Sequence, residues 1–180
     1  LDHVRLPIDY NVVENEDGTY KADGFERIAK AIDWCRKNNL NLVLDLHKTL
    51  GFSFDFGEKQ SGFFDNEKLQ ERFYCLWEEL AKHFGSDPEH VAFELLNEVT
   101  DKAFIETWNK VSAICIERIR KFAPDSLILV GSYYNNSACA VKDLAAPVDD
   151  KVIYNFHCYD PLTSVDEPLY VGFGEDGADL

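Results

Sequence analysis

Asn97 and Glu98 close a run that is otherwise almost wholly apolar, Val91-Ala92-Phe93-Glu94-Leu95-Leu96. Turn signals flank it, Gly85-Ser86-Asp87-Pro88 before and Thr100-Asp101 after, so the spacing predicts a buried parallel strand. α/β folds place their chemistry outside the carboxyl ends of such strands. Glu98 is there the candidate general acid/base and Asn97 a neighbouring hydrogen-bonding group. The plainer alternative is a helix N-terminus, capped by Asn97 or Thr100, with Glu98 favoured by the helix dipole. This stretch alone does not separate the two. Polar groups at other apolar run ends bear on the choice: Arg5 and Asp9, His47, Ser132, and His157 with Tyr159. Taken singly, His47 or His157 is more often a satisfied structural histidine, and Arg5 a plain ion-pair residue.

The elements that must position these groups alternate along the chain. Val4–Ile8 reads as a short strand. Phe25, Ile28, Ala29, Ile32 and Cys35 recur at helical spacing and predict an amphipathic helix over 23–38. Leu42–His47 is a second strand, followed by a Gly- and Phe-rich loop of roughly 18 residues, a length that is usually functional or mobile. A helix over 66–84, the strand ending at Glu98, and a helix over 102–122 come next. Then follow a strand over 127–131, a short helix over 137–144 and a fifth strand over 152–157. The tail from Pro161 is rich in Pro, Gly and Asp.

Strict β/α alternation specifies a parallel sheet covered by helices, as an open doubly wound sheet or a (β/α)8 barrel. No Gly-x-Gly-x-x-Gly or Gly-x-x-x-x-Gly-Lys follows any strand, which removes support for a nucleotide-binding open sheet. A barrel gathers all the polar strand ends around one mouth, whereas an open sheet spreads them along an edge. Alternation puts Asn155, His157 and Tyr159 on one side of the fifth strand, and Asp45 and His47 on one side of the second. Glu94, inside an apolar run, must be neutral or partnered. For Glu94 and Asp45 an interior polar network is favoured over a catalytic role. Phe63-Phe64 and Tyr133-Tyr134 lie in loops after strands, where their rings could stack on a ligand or pack beneath their own loops.

Composition narrows the partners. The 180 residues carry 18 Lys+Arg against 33 Asp+Glu, a formal charge of -15, so nucleic acid and anionic membranes are poor partners. No apolar run approaches the roughly 18 residues of a transmembrane span. Cys35, Cys75, Cys115, Cys139 and Cys158 form no C-x-x-C pair, and the first three sit among apolar residues as buried thiols. That points toward a reducing or anoxic setting without fixing the compartment. Neither a His-x-x-x-His nor a clustered Cys/His set offers a metal shell, so no metal is expected. The chain opens on Leu1 almost directly before a strand, and the reading is that the natural N-terminus lies upstream.

Four strand-end motifs, Val4-Arg5-Leu6-Pro7, Leu44-Asp45-Leu46-His47, Phe93-Glu94-Leu95-Leu96-Asn97-Glu98 and Asn155-Phe156-His157-Cys158-Tyr159, resemble those of glycoside hydrolase family 5 in order and rough spacing. That family contains endoglucanases and mannanases built on a TIM barrel. The resemblance runs from Val4 to about Pro161. It implies an α/β fold, a TIM (β/α)8 barrel present as a partial barrel of about five βα units, with residues 1–180 as one partial catalytic domain. The five strands become family strands two to six.

By the same resemblance, Glu98 matches the acid/base of a retaining β-glycanase and Asn97 the Asn that contacts the sugar 2-hydroxyl. Arg5 matches the Arg that holds the nucleophile carboxylate, and His47, His157 and Tyr159 match residues lining the cleft. The implied substrate is a β-1,4-linked glucan, polysaccharide or oligosaccharide, with no cofactor; family members are often secreted. The family nucleophile is a Glu in a Gly-Glu-aromatic-Gly motif. Pro168-Leu169-Tyr170-Val171-Gly172-Phe173-Gly174 resembles its approach, but Phe173 stands where the Glu would be, and Glu175 comes two residues later. The reading is therefore an incomplete barrel, prone to self-association through exposed edges. The alternatives are a non-catalytic carbohydrate-binding remnant and, third, a doubly wound α/β binding protein.

Overall fold

The computed structural model describes residues 2–55 and 62–158. Five strands, β1 (His3–Asp9), β2 (Asn41–Lys48), β3 (Val91–Glu94), β4 (Ile128–Val130) and β5 (Val152–Tyr154), form one sheet in the order β1-β2-β3-β4-β5. Every neighbouring pair is parallel. A doubly wound sheet reverses direction from its first strand and binds ligands at that switch point. Here the order never reverses, so the doubly wound reading is discarded. The sheet is a singly wound arc of a β/α barrel.

Three helices cover the outer face: α1 (Ala22–Lys37), α2 (Glu67–Phe84) and α3 (Ile105–Arg120). Each turns an apolar stripe to the sheet, for example Phe25, Ile28, Ile32 and Cys35 of α1, and Phe73, Leu76, Trp77 and Leu80 of α2. Asn66 caps α2 by accepting from the Lys68 N–H, and α1 carries Asp23 in its first turn and Arg36 and Lys37 in its last, matching its dipole. The core contains Leu42, Leu44 and Leu46 of β2 beside Phe93, with Trp77 tilted over the Phe93 ring at 5.5 Å. Among the described residues no helix is long and apolar enough to cross a membrane.

Two buried tryptophans link this outer layer to the site. Trp77 Nε1 donates to the Leu95 carbonyl (3.0 Å), and Trp108 Nε1 donates to the Gly131 carbonyl (2.8 Å). Both carbonyls lie just past a strand end, where the sheet ladder no longer supplies a donor. The helices thereby hold the backbone that leads into the chemistry.

Several boundaries differ from the expectation. The third strand does not run to Glu98: its ladder ends at Glu94, and Glu98 itself has φ +44, which no strand accommodates. The fifth strand stops at Tyr154 rather than residue 157, since the His157 N–H turns away to the Asn136 carbonyl. The third helix is preceded by a 3-10 turn, Lys102–Phe104, capped by the Asp101 side chain, so neither Asn97 nor Thr100 is its cap. The expected short helix is a 3-10 segment, Ala138–Asp143. Phe63 and Phe64 are buried, Phe64 stacking on Phe104 at 4.2 Å, so they anchor the long loop and offer no face to a sugar. Tyr133 is buried as well, its hydroxyl bonded to Asp143. Cys35 and Cys115 are buried as expected, but Cys75 is only half-buried, within reach of Glu71 and Arg118.

Candidate active site

The carboxyl ends of the strands converge on two carboxylates, Glu94 at the end of β3 and Glu98 four residues on. Glu94 is fully buried and takes the fork of Arg5 from β1: Nε to Oε2 at 2.6 Å and an Nη2 to Oε1 at 3.0 Å. Asn155, just past β5, donates to the same Oε1 at 2.9 Å. Burial alone would push the Glu94 carboxyl up, but His157, Arg5 and Asn155 outweigh it and hold Glu94 at about 2. Glu94 is therefore an ionised structural hub, in line with the interior network expected for it.

Asp45, buried on β2, belongs to that network. Its Oδ2 accepts from His47 Nδ1 (2.6 Å) and pairs with Arg5 (3.0 Å), while Oδ1 is buried without a hydrogen-bond partner. Burial pushes the Asp45 carboxyl above its ordinary value, and the charge of Glu94 adds to that. Arg5 also donates to Asn97 Oδ1 at 2.8 Å. With its carbonyl end engaged, Asn97 has Nδ2 as the end available to a ligand oxygen.

Glu98 differs from Glu94 in every respect that matters. It sits at the mouth with 8% of its surface accessible, on a left-handed backbone that turns it out of the strand. His157 Nδ1 lies 2.7 Å from Oε1, and Asn135 Nδ2 donates to Oε2 at 3.2 Å. A non-glycine residue held at positive φ marks strain imposed by its surroundings, and such strain clusters at functional sites. His157 bridges the two carboxylates, with Nε2 3.8 Å from Glu94. Glu94 and Glu98 together raise the His157 imidazole to about 9, so it is a cation at neutral pH and donates from Nδ1 to Glu98.

The structure thus brings Glu98, Asn97, Arg5 and His157 into one cluster. His47 joins it through Asp45, with the Phe54 ring edge-on at 4.8 Å. Tyr159 and the tail motif with Phe173 and Glu175 lie outside the described residues. Asn135 was not foreseen; its only sequence signal is the Asn135-Asn136 doublet after a strand, since Asn tolerates left-handed backbone. Among the described residues no group of three or more His, Cys, Asp or Glu is arranged to hold a metal ion.

The singly wound parallel arc with helices on its outer face is part of a β/α barrel of the TIM class, and the carboxylates lie at the carboxyl end of its strands. The cellulase family, glycosyl hydrolase family 5, matches residues 1–169, and the chain belongs to that family. It is 64% identical over 162 residues to cellodextrinase A of Ruminococcus flavefaciens, covering 90% of this chain and 48% of that protein. It is 43% identical over 165 residues to endoglucanase C of Acetivibrio thermocellus, covering 90% and 47%. Among solved structures, endoglucanase Cel5A of Thermotoga maritima aligns with a TM-score of 0.74 at 27% identity, covering 89% of this chain and 50% of that one. Subunit Z of the clostridial cellulose synthase from Clostridioides difficile aligns with a TM-score of 0.74 at 28% identity, covering 89% and 50%. The chain spans about half the length of the curated relatives it matches.

Proposed function

We propose that this chain supplies the acid/base half of a retaining β-glycanase site acting on β-1,4-linked glucan, polysaccharide or oligosaccharide, with Glu98 as acid/base. The observation that carries the reading is Glu98 itself: a mouth-facing carboxylate on a left-handed turn, held by His157 on one oxygen and Asn135 on the other. Relatives named cellodextrinase and endoglucanase support the glucan class.

In such a site an ionised carboxylate attacks the anomeric carbon while Glu98 protonates the departing glycosidic oxygen. Glu98 then takes a proton from the water that releases the glycosyl-enzyme. In this reading Nδ2 of Asn97 meets a sugar hydroxyl, supported by the Arg5 hydrogen bond that occupies Asn97 Oδ1, while Arg5 also pairs with Glu94 and Asp45. The nucleophile must stand about 5–5.5 Å from Glu98. Among the described residues Glu94 and Asp45 do not fill that role, being buried in ion pairs. That observation keeps the binding-remnant reading as the second one. The test is reducing-end release from carboxymethyl cellulose and cello-oligosaccharides by the full-length protein and its Glu98→Gln variant. Loss of turnover with retained oligosaccharide binding supports the acid/base role. Turnover equal to the parent refutes it, and binding without turnover in the parent selects the remnant.

A further inference from the structure

We propose that Asn135 is a positioning residue for Glu98, delivered to it by the left-handed turn Tyr133–Asn136. This rests on the reading of Glu98 as acid/base. Three successive non-glycine residues, Tyr134, Asn135 and Asn136, have φ of 52, 56 and 60. L-residues avoid that region, Asn least of all, and a run of three persists only where the surroundings over-determine it.

The surroundings here are the site. The N–H groups of Tyr134 and Asn135 donate to the carbonyls of Thr100 (3.3 Å) and Val99 (3.0 Å), the two residues that follow Glu98. The Asn136 carbonyl accepts from the His157 N–H at 2.9 Å. Asn136 is fully buried against Gly131, where an added Cβ would lie 2.2 Å from its side chain, so only glycine lets the turn seat. One turn therefore ties down the backbone beyond Glu98, the backbone of His157, and, through Asn135 Nδ2, the Glu98 Oε2 atom.

The division of donors has a chemical consequence. His157 faces Oε1 and can exchange a proton; the Asn135 amide faces Oε2 and cannot accept one. A fixed donor on Oε2 holds the carboxyl rotamer and favours its ionised form. Asn135 is itself solvent-exposed at the rim, so its side chain is not needed to fill a core. Its removal should act on the acid and leave the fold alone.

The experiment uses the full-length protein with Asn135→Gly, which keeps the left-handed backbone but removes the donor, and Asn135→Asp, which keeps size and backbone tolerance but replaces the donor with an acceptor. Rates are read on a cello-oligosaccharide, which needs leaving-group protonation, and on 2,4-dinitrophenyl β-cellobioside, which does not. Asn135→Gly is expected to lower kcat on the oligosaccharide roughly ten-fold with little change in KM. The basic limb of kcat/KM should move up, because the donor that favoured the ionised carboxyl is gone. On the activated substrate the loss in kcat/KM, which reports glycosylation alone, should shrink to about two-fold or less, while kcat still falls because Glu98 remains the base of deglycosylation. Asn135→Asp should move the limb in the same direction and further. In a Glu98→Ala background neither substitution should cost anything more on the oligosaccharide.

An Asn135→Gly protein with parental rate and pH profile, beside an inactive Glu98→Ala, overturns the positioning role alone. So does an equal loss of kcat/KM on both substrates, which would mark a general structural effect. A fully active Glu98→Ala overturns the acid/base reading and this inference with it.

Discussion

Arg5 is the perturbation whose effect the structure predicts most closely. Its guanidinium makes contacts of 2.6 Å and 3.0 Å to Glu94, 3.0 Å to Asp45 and 2.8 Å to Asn97. Both carboxylates are fully buried, so Arg5→Ala leaves two like charges in the interior without a cation between them. Removing one partner of a buried ion pair typically costs about 3–5 kcal/mol. At about 2–4 °C per kcal/mol for a chain of this size, the melting temperature at pH 7 should fall by about 10 °C. Arg5→Met keeps the aliphatic stem and separates packing from charge, so it should lose nearly as much.

The pH dependence is the sharper part of that prediction. In the parent, Glu94 is held at about 2. Without Arg5, Glu94 rises from about 2 toward the ordinary carboxylate range, with His157 and Asn155 still holding it down. The stability that Glu94 contributes in the parent is full above 4.5 and lost as pH falls toward about 2, and the variant has less of it to lose, so the deficit narrows as pH falls. Urea or thermal unfolding followed by circular dichroism at pH 7 and pH 4 should show a smaller deficit at the lower pH. A deficit under about 1 kcal/mol, or one equal at both values, would refute the reasoning.

Trp77→Phe keeps the ring but strands the buried Leu95 carbonyl, and should cost about 1–3 kcal/mol in denaturant unfolding with a loss of turnover, since that carbonyl begins the lead-in to Glu98. His157 is raised from 6.5 to about 9, so its contribution is full below 6.5 and lost as pH rises through 9, whereas that of Glu94 is full above 4.5 and lost as pH falls through about 2. Melting temperature should therefore plateau between these limits, and His157→Gln should flatten the alkaline decline. The 180-residue chain alone should release no reducing ends from carboxymethyl cellulose, while a version extended to the length of its relatives does. β1 and β5 are each paired on one side only among the described strands, so the short chain should also sediment above monomer mass, and a monodisperse active monomer would contradict both statements.

Much of this molecule was legible from pattern. Apolar runs and helical spacing located five strands and three helices, because burial dictates both. The polar ends Arg5, His47, Asn97-Glu98 and His157 marked the mouth, because a sheet gathers its strand ends. What pattern did not reveal depends on contacts distant in sequence. Apolarity at Leu95 and Leu96 continues past the strand, since the core continues, while the ladder has already stopped at Glu94 and the chain turns left-handed at Glu98. Asn135 meets Glu98 across 37 positions, through a turn whose strain is legible only once its hydrogen bonds are seen. Phe63 and Phe64 show the converse: aromatic residues in a loop carry no sign of whether they face a ligand or the core beneath them.

The acid/base role of Glu98 is tested most directly by azide rescue of Glu98→Ala in the full-length protein on 2,4-dinitrophenyl β-cellobioside, with the product followed by NMR. A small anion can enter the space left by the acid/base and intercept a glycosyl-enzyme that no longer has a base to activate water. The account predicts that turnover rises with azide and that the product is the β-cellobiosyl azide. No response to azide, an α-azide product, or a Glu98→Ala protein as active as its parent on unactivated cello-oligosaccharides would contradict it.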